Sequence, residues 1–289
     1  MKYFYLLCFC LSLSFAAFAQ EKIQFNPHYS ANTIYEINSY TNESKVIDFK
    51  GDVSYMIAMK RKGIKLPIKI KNIDKDTYYL FTQPIKKNKT PFVFSYEKFD
   101  KENYLNDSLE QKTKASDVGL SALGYFEENK QMKVTKVVGT SLSNKVQKAV
   151  AKVIEDLANQ AKYPNKEMGI GESFDVENSL PINIEGIGSV LLTVQVTYLL
   201  TDIKEGKAYF TEKIQIAIDG KQDIREKFSF EGGGQGLMIY DVATHRIEKI
   251  ETTIQGDIRM DGPGLTVTIG LEETTRVLTT IIKPEDMDE

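Results

Sequence analysis

Beyond its tenth residue this chain of 289 residues has no cysteine, because Cys8 and Cys10 are the only two. A disulfide, a thiol nucleophile and a cysteine metal ligand are therefore excluded from the rest of the chain. Tryptophan is absent throughout, which lowers the expectation of a sugar-binding face built on aromatic stacking. A chain of this length can bury a sizeable core, so it can fold without disulfides.

Histidine is also scarce, since His28 and His245 are the only two. They lie far apart and form no His-x-x-x-His pair, and no Gly-x-Ser-x-Gly elbow occurs, so zinc-hydrolase and serine-hydrolase motifs are absent. A phosphate loop needs a helix after its glycines, whereas the run from Gly232 to Gly236 precedes a strand-like segment. We interpret this run as a bulge or a close crossing of strands. The sequence thus predicts no catalytic residue, no cofactor site and no metal site.

The first twenty residues carry the longest apolar run. Lys2 precedes an uncharged segment from Tyr3 to Leu13, and Ala17 and Ala19 place small residues just before Gln20. This order predicts a secretory signal peptide at residues 1–19. The run is too short to span a bilayer and no later run is longer, so no transmembrane segment is predicted. We therefore expect an exported protein, periplasmic or extracellular after cleavage near Ala19.

Acidic and basic residues nearly balance, with 37 Lys and Arg against 40 Asp and Glu and a formal net charge of −3. This balance does not favour a nucleic-acid partner. The segment Lys60–Lys62, with Lys65, Lys69 and Lys71, is locally basic. Because several of these lysines fall at alternate positions, we interpret the cluster as the solvent-exposed face of a strand rather than a phosphate-binding surface.

Alternation of apolar and polar residues dominates the sequence and predicts strands. Glycine and aspartate clusters between the runs indicate turns, as at Gly63, Glu205-Gly206, Asp219-Gly220 and Asp261–Gly264. We expect the last run to be the closing strand. The alternating runs lie at 53–59, 64–70, 77–82, 92–96, 190–200, 210–218, 228–230, 237–240, 250–258, 265–269 and 274–282.

One segment, between Ser143 and Lys162, has helical spacing instead. Ser143 can cap its start and Pro164 follows its end. We expect this amphipathic helix to bury its apolar stripe against the sheet. The fold class is therefore mainly β with one central helix (α+β), a curved antiparallel sheet or open barrel. The stripe consists of Val146, Ala149, Val150, Val153, Leu157 and Ala161.

A faint internal echo flanks this helix. Residues 70–80 and 200–210 both have the pattern of strand, polar turn and strand, with Ile73 in step with Ile203 and Tyr79 in step with Tyr209. Two related β halves and chance recurrence of a hairpin pattern explain the echo equally well. We divide the chain into a signal peptide (1–19), an N-terminal β half (20–142), an amphipathic helix (143–163), a C-terminal β half (164–283) and an acidic tail (284–289).

Three short stretches carry a resemblance. Gly171–Phe174 follows the helix, a strand ends in Tyr198-Leu199-Leu200 before a polar turn, and a glycine-rich strand runs from Gly232 to Asp241. In this order the chain resembles a family of uncharacterised exported bacterial β-rich proteins with a domain of unknown function. The resemblance extends over residues 32–282 and implies no catalytic residue. More loosely, the expected sheet and helix are similar to the curved sheets of periplasmic lipoprotein carriers.

The functional hypotheses rest on an apolar, aromatic-rich β face. Our first hypothesis is a non-enzymatic envelope protein that binds a lipid-like apolar ligand or another envelope protein. One alternative is a hydrolase using paired carboxylates on a loop face, drawn from Asp257, Asp261, Glu272 and Glu273. The other is a purely structural or assembly module. The residues of the candidate apolar groove, for which ordinary sheet core is the alternative, are Tyr79, Phe81, Phe92, Phe94, Val153 and Leu157.

Overall fold

The computed structural model describes residues 21–128, 130–139, 143–160, 162–184, 188–219, 228–262 and 264–282. The predicted signal peptide, Gly220 of a predicted turn and the acidic tail lie outside these residues. Two helices are described, α1 (Val53–Arg61) and α2 (Asn144–Gln160). The described strands are β1 (Lys22–Phe25), β2 (Ile34–Gly51), β3 (Ile68–Thr82), β4 (Thr90–Leu105), β5 (Ser108–Phe126), β6 (Met132–Val138), β7 (Lys166–Gly169), β8 (Ser173–Ile184), β9 (Gly188–Lys204), β10 (Lys207–Asp219), β11 (Phe228–Asp241), β12 (Arg246–Gly262) and β13 (Leu265–Ile282).

Eleven of these strands form one antiparallel sheet, in the order β6-β5-β4-β3-β2-β13-β12-β11-β10-β9-β8. It consists of an N-terminal meander (β2–β6) and a C-terminal meander (β8–β13). They join where β2 pairs with β13, from Ile34 opposite Ile282 to Gly51 opposite Leu265. Among the described strands, β6 and β8 each have one neighbour in this sheet, so the sheet is open. The predicted class, mainly β with a curved open antiparallel sheet, is confirmed, although β13 is central and not a closing strand.

Two tight hairpins show why the strands turn where they do. The β4–β5 loop is Asn106-Asp107, with φ of 49° and 66°, and the β9–β10 loop is Glu205-Gly206, with φ of 53° and 72°. Two left-handed residues in a two-residue loop are the geometry of a type I′ turn, whose twist matches that of the flanking strands. The turn predicted at Glu205-Gly206 is confirmed.

The sheet has an inner face, which we define as the face that carries the hydrophobic cores. Directly opposite residues of an antiparallel pair lie on the same face. Tyr35 lies opposite Ile281, and on the same face of β13 Val277 lies opposite Ile250, which in turn lies opposite Met238. The inner face is therefore continuous across both meanders.

Each meander has its own core on this face, near the end of the sheet where β2 begins. The C-terminal core is covered by a two-stranded ribbon, in which β1 pairs with β7 and Phe25 is completely buried. The N-terminal core is covered by α2, whose Ile154 packs against it. The buried residues are Ile23, Phe25, Met168, Phe174, Val176, Tyr198, Leu200, Ile203, Ala208, Phe210, Met238 and Tyr240 in the C-terminal core, and Tyr35, Leu80, Phe92 and Met132 in the N-terminal core.

Helix α2 confirms the predicted helix but presents a different face to the sheet. Val146 and Val153, two residues of the predicted buried stripe, are 43% and 55% exposed, so their predicted burial is wrong. The side chain of Leu157 lies outside the described part of the structure, and its burial stays a prediction.

The unpaired backbone of β6 explains this orientation. Met132 N donates to Asn159 Oδ1 (2.8 Å), Met132 O accepts from Asn159 Nδ2 (3.0 Å), and Val134 N donates to Glu155 Oε1 (2.6 Å). An edge strand with unpaired backbone groups tends to pair with other chains unless it is covered. The polar residues of α2 satisfy that edge, so they and Ile154 decide which side of the helix faces the sheet.

Residues 53–59, predicted to form a strand, form helix α1 instead. The sheet ends at Gly51, and Asp52 N donates to Gly264 O (3.0 Å) where the chain leaves it. Met56, Ala58 and Met59 suit a helix once no neighbouring strand is available. The fold therefore has two described helices where one was predicted, and Lys60–Lys62 close a helix and do not lie on a strand face.

The internal echo has no structural counterpart. Residues 70–80 lie within the single strand β3, whereas residues 200–210 form the end of β9, a turn and the start of β10. A polar stretch can therefore continue a strand when its side chains find partners on the next strands. The hairpin predicted at 70–80 is wrong.

Candidate functional site

The inner face of the C-terminal meander stays apolar beyond its core. Val194 lies opposite Ile216, Phe230 opposite Ile258, and Ile258 opposite Ile269. The described helices do not cover this surface, because α1 lies beside β2 and α2 packs against β6. The apolar side chains of the surface are half-buried. We call this surface the apolar trough. Its residues are Val194, Val196, Ile216, Ile218, Phe230, Ile258 and Ile269.

A buried carboxyl group, that of Glu212, lies at the border between the trough and the C-terminal core, whereas Glu273, a second carboxyl group of the inner face, lies on β13 opposite Ile254. Glu212 is only 4% exposed. It lies opposite Tyr198 on β9 and opposite Gly236 on β11, and Gly236 lies opposite Thr252 on β12. Four neighbouring strands thus form a row of tyrosine, glutamate, glycine and threonine. Phe210 and Ile214 continue the apolar series on either side of Glu212 along β10.

The hydrogen bonding of Glu212 is incomplete. Its Oε2 accepts from Thr252 Oγ1 at 2.8 Å, whereas its Oε1 is buried and has no hydrogen-bond partner among the described residues. Burial raises the pKa of Glu212, and the bond from Thr252 opposes this increase. A buried polar atom without a partner is destabilising. Glu212 Oε1 is therefore available to accept a further hydrogen bond, or to donate one when it is protonated.

Two tyrosines stand beside this carboxyl group. The rings of Tyr163 and Tyr198 meet edge to face with centroids 6.0 Å apart. Burial raises the pKa of Tyr163 to about 12, and the Glu212 charge adds to this increase. Burial also raises the pKa of Tyr198. Both phenols therefore stay protonated at neutral pH and remain hydrogen-bond donors or acceptors.

The glycine run makes room for Glu212. A Cβ atom added at Gly236 would lie 2.6 Å from Glu212 Oε2 and 2.5 Å from Glu251 O. One added at Gly234 would lie 3.2 Å from Ile214 Cδ1 and 2.6 Å from Thr253 O. Long side chains of β10 thus lie flat across the glycines of β11. The close crossing predicted for this run is correct, whereas the bulge of β11 lies at Ile239/Tyr240.

The predicted groove residues do not share one surface. Leu80 lies opposite Phe94, so Phe94 is on the inner face with Phe92, which is 2% exposed and belongs to the core. Tyr79 and Phe81, the alternate residues of β3, lie on the outer face. Val153 is exposed on α2, and the Leu157 side chain lies outside the described part.

The other candidates from the sequence lie away from the trough. Arg259 and Asp261 form an exposed ion pair of 2.8 Å on the outer face, where Asp257 also lies. His28 and His245 stack with ring centroids 5.2 Å apart, and His245 Nδ1 lies 2.8 Å from Tyr240 Oη. Within the described residues, no group of three or more His, Cys, Asp or Glu side chains is placed to hold a metal ion. None of the described helices is long and apolar enough to cross a membrane.

The sequence contains a signal for Glu212, although the residues predicted above do not include it. Along β10 the alternate residues Phe210, Ile214, Ile216 and Ile218 are apolar, and Glu212 is the one charged residue in that register. A single charge in the apolar register of a strand indicates a buried ionisable group.

Comparison with known proteins does not assign a family. No protein-family model matches the sequence, and no curated protein matches it. Similar solved structures include an outer membrane channel from Pseudomonas putida F1 (9% identity over 88% of this chain and 97% of that chain, TM-score 0.28). They also include a beta-barrel-like protein of a domain of unknown function from Brucella abortus (9% identity over 86% of this chain and 98% of that chain, TM-score 0.17). These TM-scores are too low for the likeness to carry an argument about function.

Proposed function

We propose that this protein is a non-enzymatic binding module of the cell envelope that takes an apolar chain into the trough. The observation that carries the proposal is the apolar trough on the inner face of β9–β13, with the buried, incompletely bonded Glu212 at its border with the core. Ligand sites are mostly apolar with a few well-placed polar groups. The export signal predicted at residues 1–19 supports an envelope location, and the division at residues 20–142 and 164–283 stays part of this proposal.

The chemistry of Glu212 restricts which charge and hydrogen-bonding groups the head of the proposed ligand can carry. A carboxylate with one free oxygen favours a hydrogen-bond donor, and an ammonium group adds a charge-assisted bond that favours the ionised form. A carboxylate or phosphate head would place like charges together in a buried site, which is unfavourable. We therefore propose an aliphatic ligand with an amine or hydroxyl head, held beside Glu212 and Tyr198.

Calorimetric titration with decylamine and decanoate tests the proposal, because these probes share a chain length and differ in head charge. We expect saturable binding of decylamine, and binding of decanoate weaker by about tenfold or more. Native mass spectrometry of protein purified from its own envelope should show a lipid-sized mass that travels with it. Equal binding of both probes would contradict the role of Glu212, and no binding of either probe would contradict the trough as a ligand site.

Matched variants on the two faces of the sheet locate the binding. Ile216→Asp places a charge in the trough, whereas Leu199→Asp places one on the outer face of the neighbouring strand, where Leu199 is already 38% exposed. We expect Ile216→Asp to abolish decylamine binding and Leu199→Asp to preserve it. The opposite result would move the site to the outer face.

The two alternative functions have less support. The hydrolase hypothesis needs two facing carboxyl groups. Glu273 lies opposite Glu43 on the inner face, but Glu43 is already bonded to Lys45 and Asn72. Asp261 is paired with Arg259 on an exposed surface. The structural-module hypothesis needs a filled inner face, and the described helices leave the trough uncovered.

A further inference from the structure

Helix α1 is an exposed element that carries several apolar side chains. It has no buried residue, and Val53, Tyr55 and Ile57 are 73%, 47% and 46% exposed. Ile64, just after the helix, is 38% exposed. Val53 and Ile57 are one helical turn apart and lie on the same side of α1, whereas Tyr55 lies on the opposite side, toward Gly264. Single exposed apolar residues are common on protein surfaces, but neighbouring ones such as Val53 and Ile57, which we call the apolar patch, indicate an interaction site.

Basic residues border this apolar patch. Between Lys50 and Lys65 there are five basic residues and a single acidic one, Asp52, in a chain whose formal net charge is −3. Lys60 and Arg61 form the last turn of α1. Within the described part of the chain, Lys60, Arg61, Lys62 and Lys65 take part in no ion pair, so their charges are available to an outside partner.

We propose that α1 and residues 62–65 dock on an anionic lipid surface. The side chains of Val53 and Ile57 would enter the interface between head groups and acyl chains. Lys60 and Arg61, three and four residues after Ile57, lie on the same side of the helix. The lysines and arginine would lie against lipid phosphates, which attract basic residues near a membrane. The proposal does not depend on a ligand in the trough.

The position of α1 gives this docking a direction. The helix follows Gly51, at the end of the β2–β13 pair that is remote from both cores. Ile47 and Ile269 lie opposite each other near that end, and Ile269 belongs to the trough. A membrane bound by α1 would therefore face the end of the sheet at which the trough is uncovered.

Charge complementarity favours a lipid surface over a second copy of this chain. A symmetric contact between two α1 helices would bring two basic clusters together, which is unfavourable. The Ile85–Lys89 hairpin also combines an exposed apolar residue with lysines, but Lys87 and Lys89 share a shallow cleft with Glu127 and Glu128. That hairpin therefore serves as an internal control.

Vesicle co-sedimentation of the chain without residues 1–19 tests the proposal. We expect binding to vesicles of equimolar phosphatidylglycerol and phosphatidylcholine, weakened by added salt, and little binding to pure phosphatidylcholine. The triple variant K60Q/R61Q/K62Q should bind on the order of 100-fold more weakly. The double variant V53S/I57S should also lose binding while its circular dichroism and melting temperature stay unchanged, because both positions are exposed.

The charge-matched control is K86Q/K87Q/K89Q, which should bind like the original chain. Equal loss in this control would show a non-specific charge effect and overturn the proposal, as would equal binding to neutral vesicles or no binding to either kind. A dimer detected by light scattering and lost in V53S/I57S would assign the patch to a second copy of the chain instead. Failure of decylamine titration with intact vesicle binding would contradict only the proposed function.

Discussion

The two meanders share one sheet and one antiparallel topology, but their inner faces differ beyond the cores. In the N-terminal meander that face is polar, and its side chains satisfy one another. Asn72 Nδ2 donates to Glu43 Oε2 (2.8 Å), and Lys101 pairs with Asp74 (3.4 Å). In the C-terminal meander the corresponding face is largely apolar, with Thr252, Thr275 and Glu273 as polar exceptions, and its buried Glu212 Oε1 has no hydrogen-bond partner among the described residues.

This difference supports the proposal that the C-terminal half of the sheet binds a further partner. Polar side chains that bond to each other or to water are stable without a cover. An apolar face is stabilised only when something excludes water from it, at about 25 cal/mol per Å² buried. The described cover of the C-terminal meander, the β1–β7 ribbon, lies over its core and not over the trough. The proposed ligand would exclude water from the trough as the ribbon excludes it from the core.

The largest expected effect comes from removing the ring that attaches the ribbon to the C-terminal core. Phe25 is completely buried, and its ring lies 5.0 Å from that of Phe210 and 4.9 Å from that of Tyr240. Phe25→Ala should lower the free energy of unfolding by about 3–5 kcal/mol, because it removes a large buried side chain and leaves a cavity. Urea denaturation measures this loss. Leu109→Ala, at a position 52% exposed, should change stability by less than about 0.5 kcal/mol.

A smaller loss is expected from filling the space above the glycine run. Gly236→Val would bring new atoms against Glu212 Oε2 and Glu251 O, so it should destabilise the protein by about 1–3 kcal/mol, as overpacking does. At Gly262 an added Cβ would approach Leu265 O only to 3.5 Å, and Gly262→Val should be tolerated. Thermal denaturation of both variants checks this. A neutral Gly236→Val would contradict the close crossing of strands.

The charge of Glu212 should reverse the usual pH dependence of a carboxyl group. Its pKa is raised above 4.5, so the folded chain holds the proton to higher pH than the unfolded chain does. The resulting stability is fully present below pH 4.5, and it is lost as the pH rises through the raised pKa. Urea denaturation across this range should show that Glu212→Gln becomes more stable relative to the original chain as the pH rises.

Glu251 provides the opposite case in the same meander. Hydrogen bonds from Arg276 and Lys249 lower the pKa of Glu251 to about 2. Its contribution is therefore present above pH 4.5 and lost as the pH falls toward about 2. Glu251→Gln should lose stability at neutral pH and little in strong acid. Parallel pH profiles for the two glutamine variants would disprove the difference between a buried, incompletely bonded carboxylate and a paired one.

The smallest effect concerns the cover of the N-terminal meander. Val153 is 55% exposed, so Val153→Ser should change the free energy of unfolding by less than about 0.5 kcal/mol. Ile154 packs against the core, so Ile154→Ser should cost clearly more. The reverse order in thermal denaturation would restore the buried stripe predicted from the sequence and contradict the observed orientation of α2.

The features predicted correctly, most strands and the turn at Glu205-Gly206, are those that depend on short-range sequence patterns. Alternation predicted most strands because a pleated, half-buried surface needs it, and the turn at Glu205-Gly206 followed from residues that tolerate positive φ. The same reasoning failed at Val53–Met59, because the chain leaves the sheet at Gly51 and no described strand pairs with these residues. It failed for the groove because Tyr79 and Phe94 are both aromatic but lie on opposite faces of the sheet. Only the register between β3 and β4 shows which face each residue occupies.

By itself the sequence determined the class of the fold, the existence and bounds of α2 to within a few residues, and the restriction of cysteine to the first ten residues. These features depend on composition and short-range periodicity. The tertiary structure decided which side of α2 is buried, because the unpaired backbone of β6 requires Glu155 and Asn159. It also decided that Glu212, Gly236 and Thr252 meet. Pairing between strands distant in the chain brings these residues together, and no local pattern encodes that register.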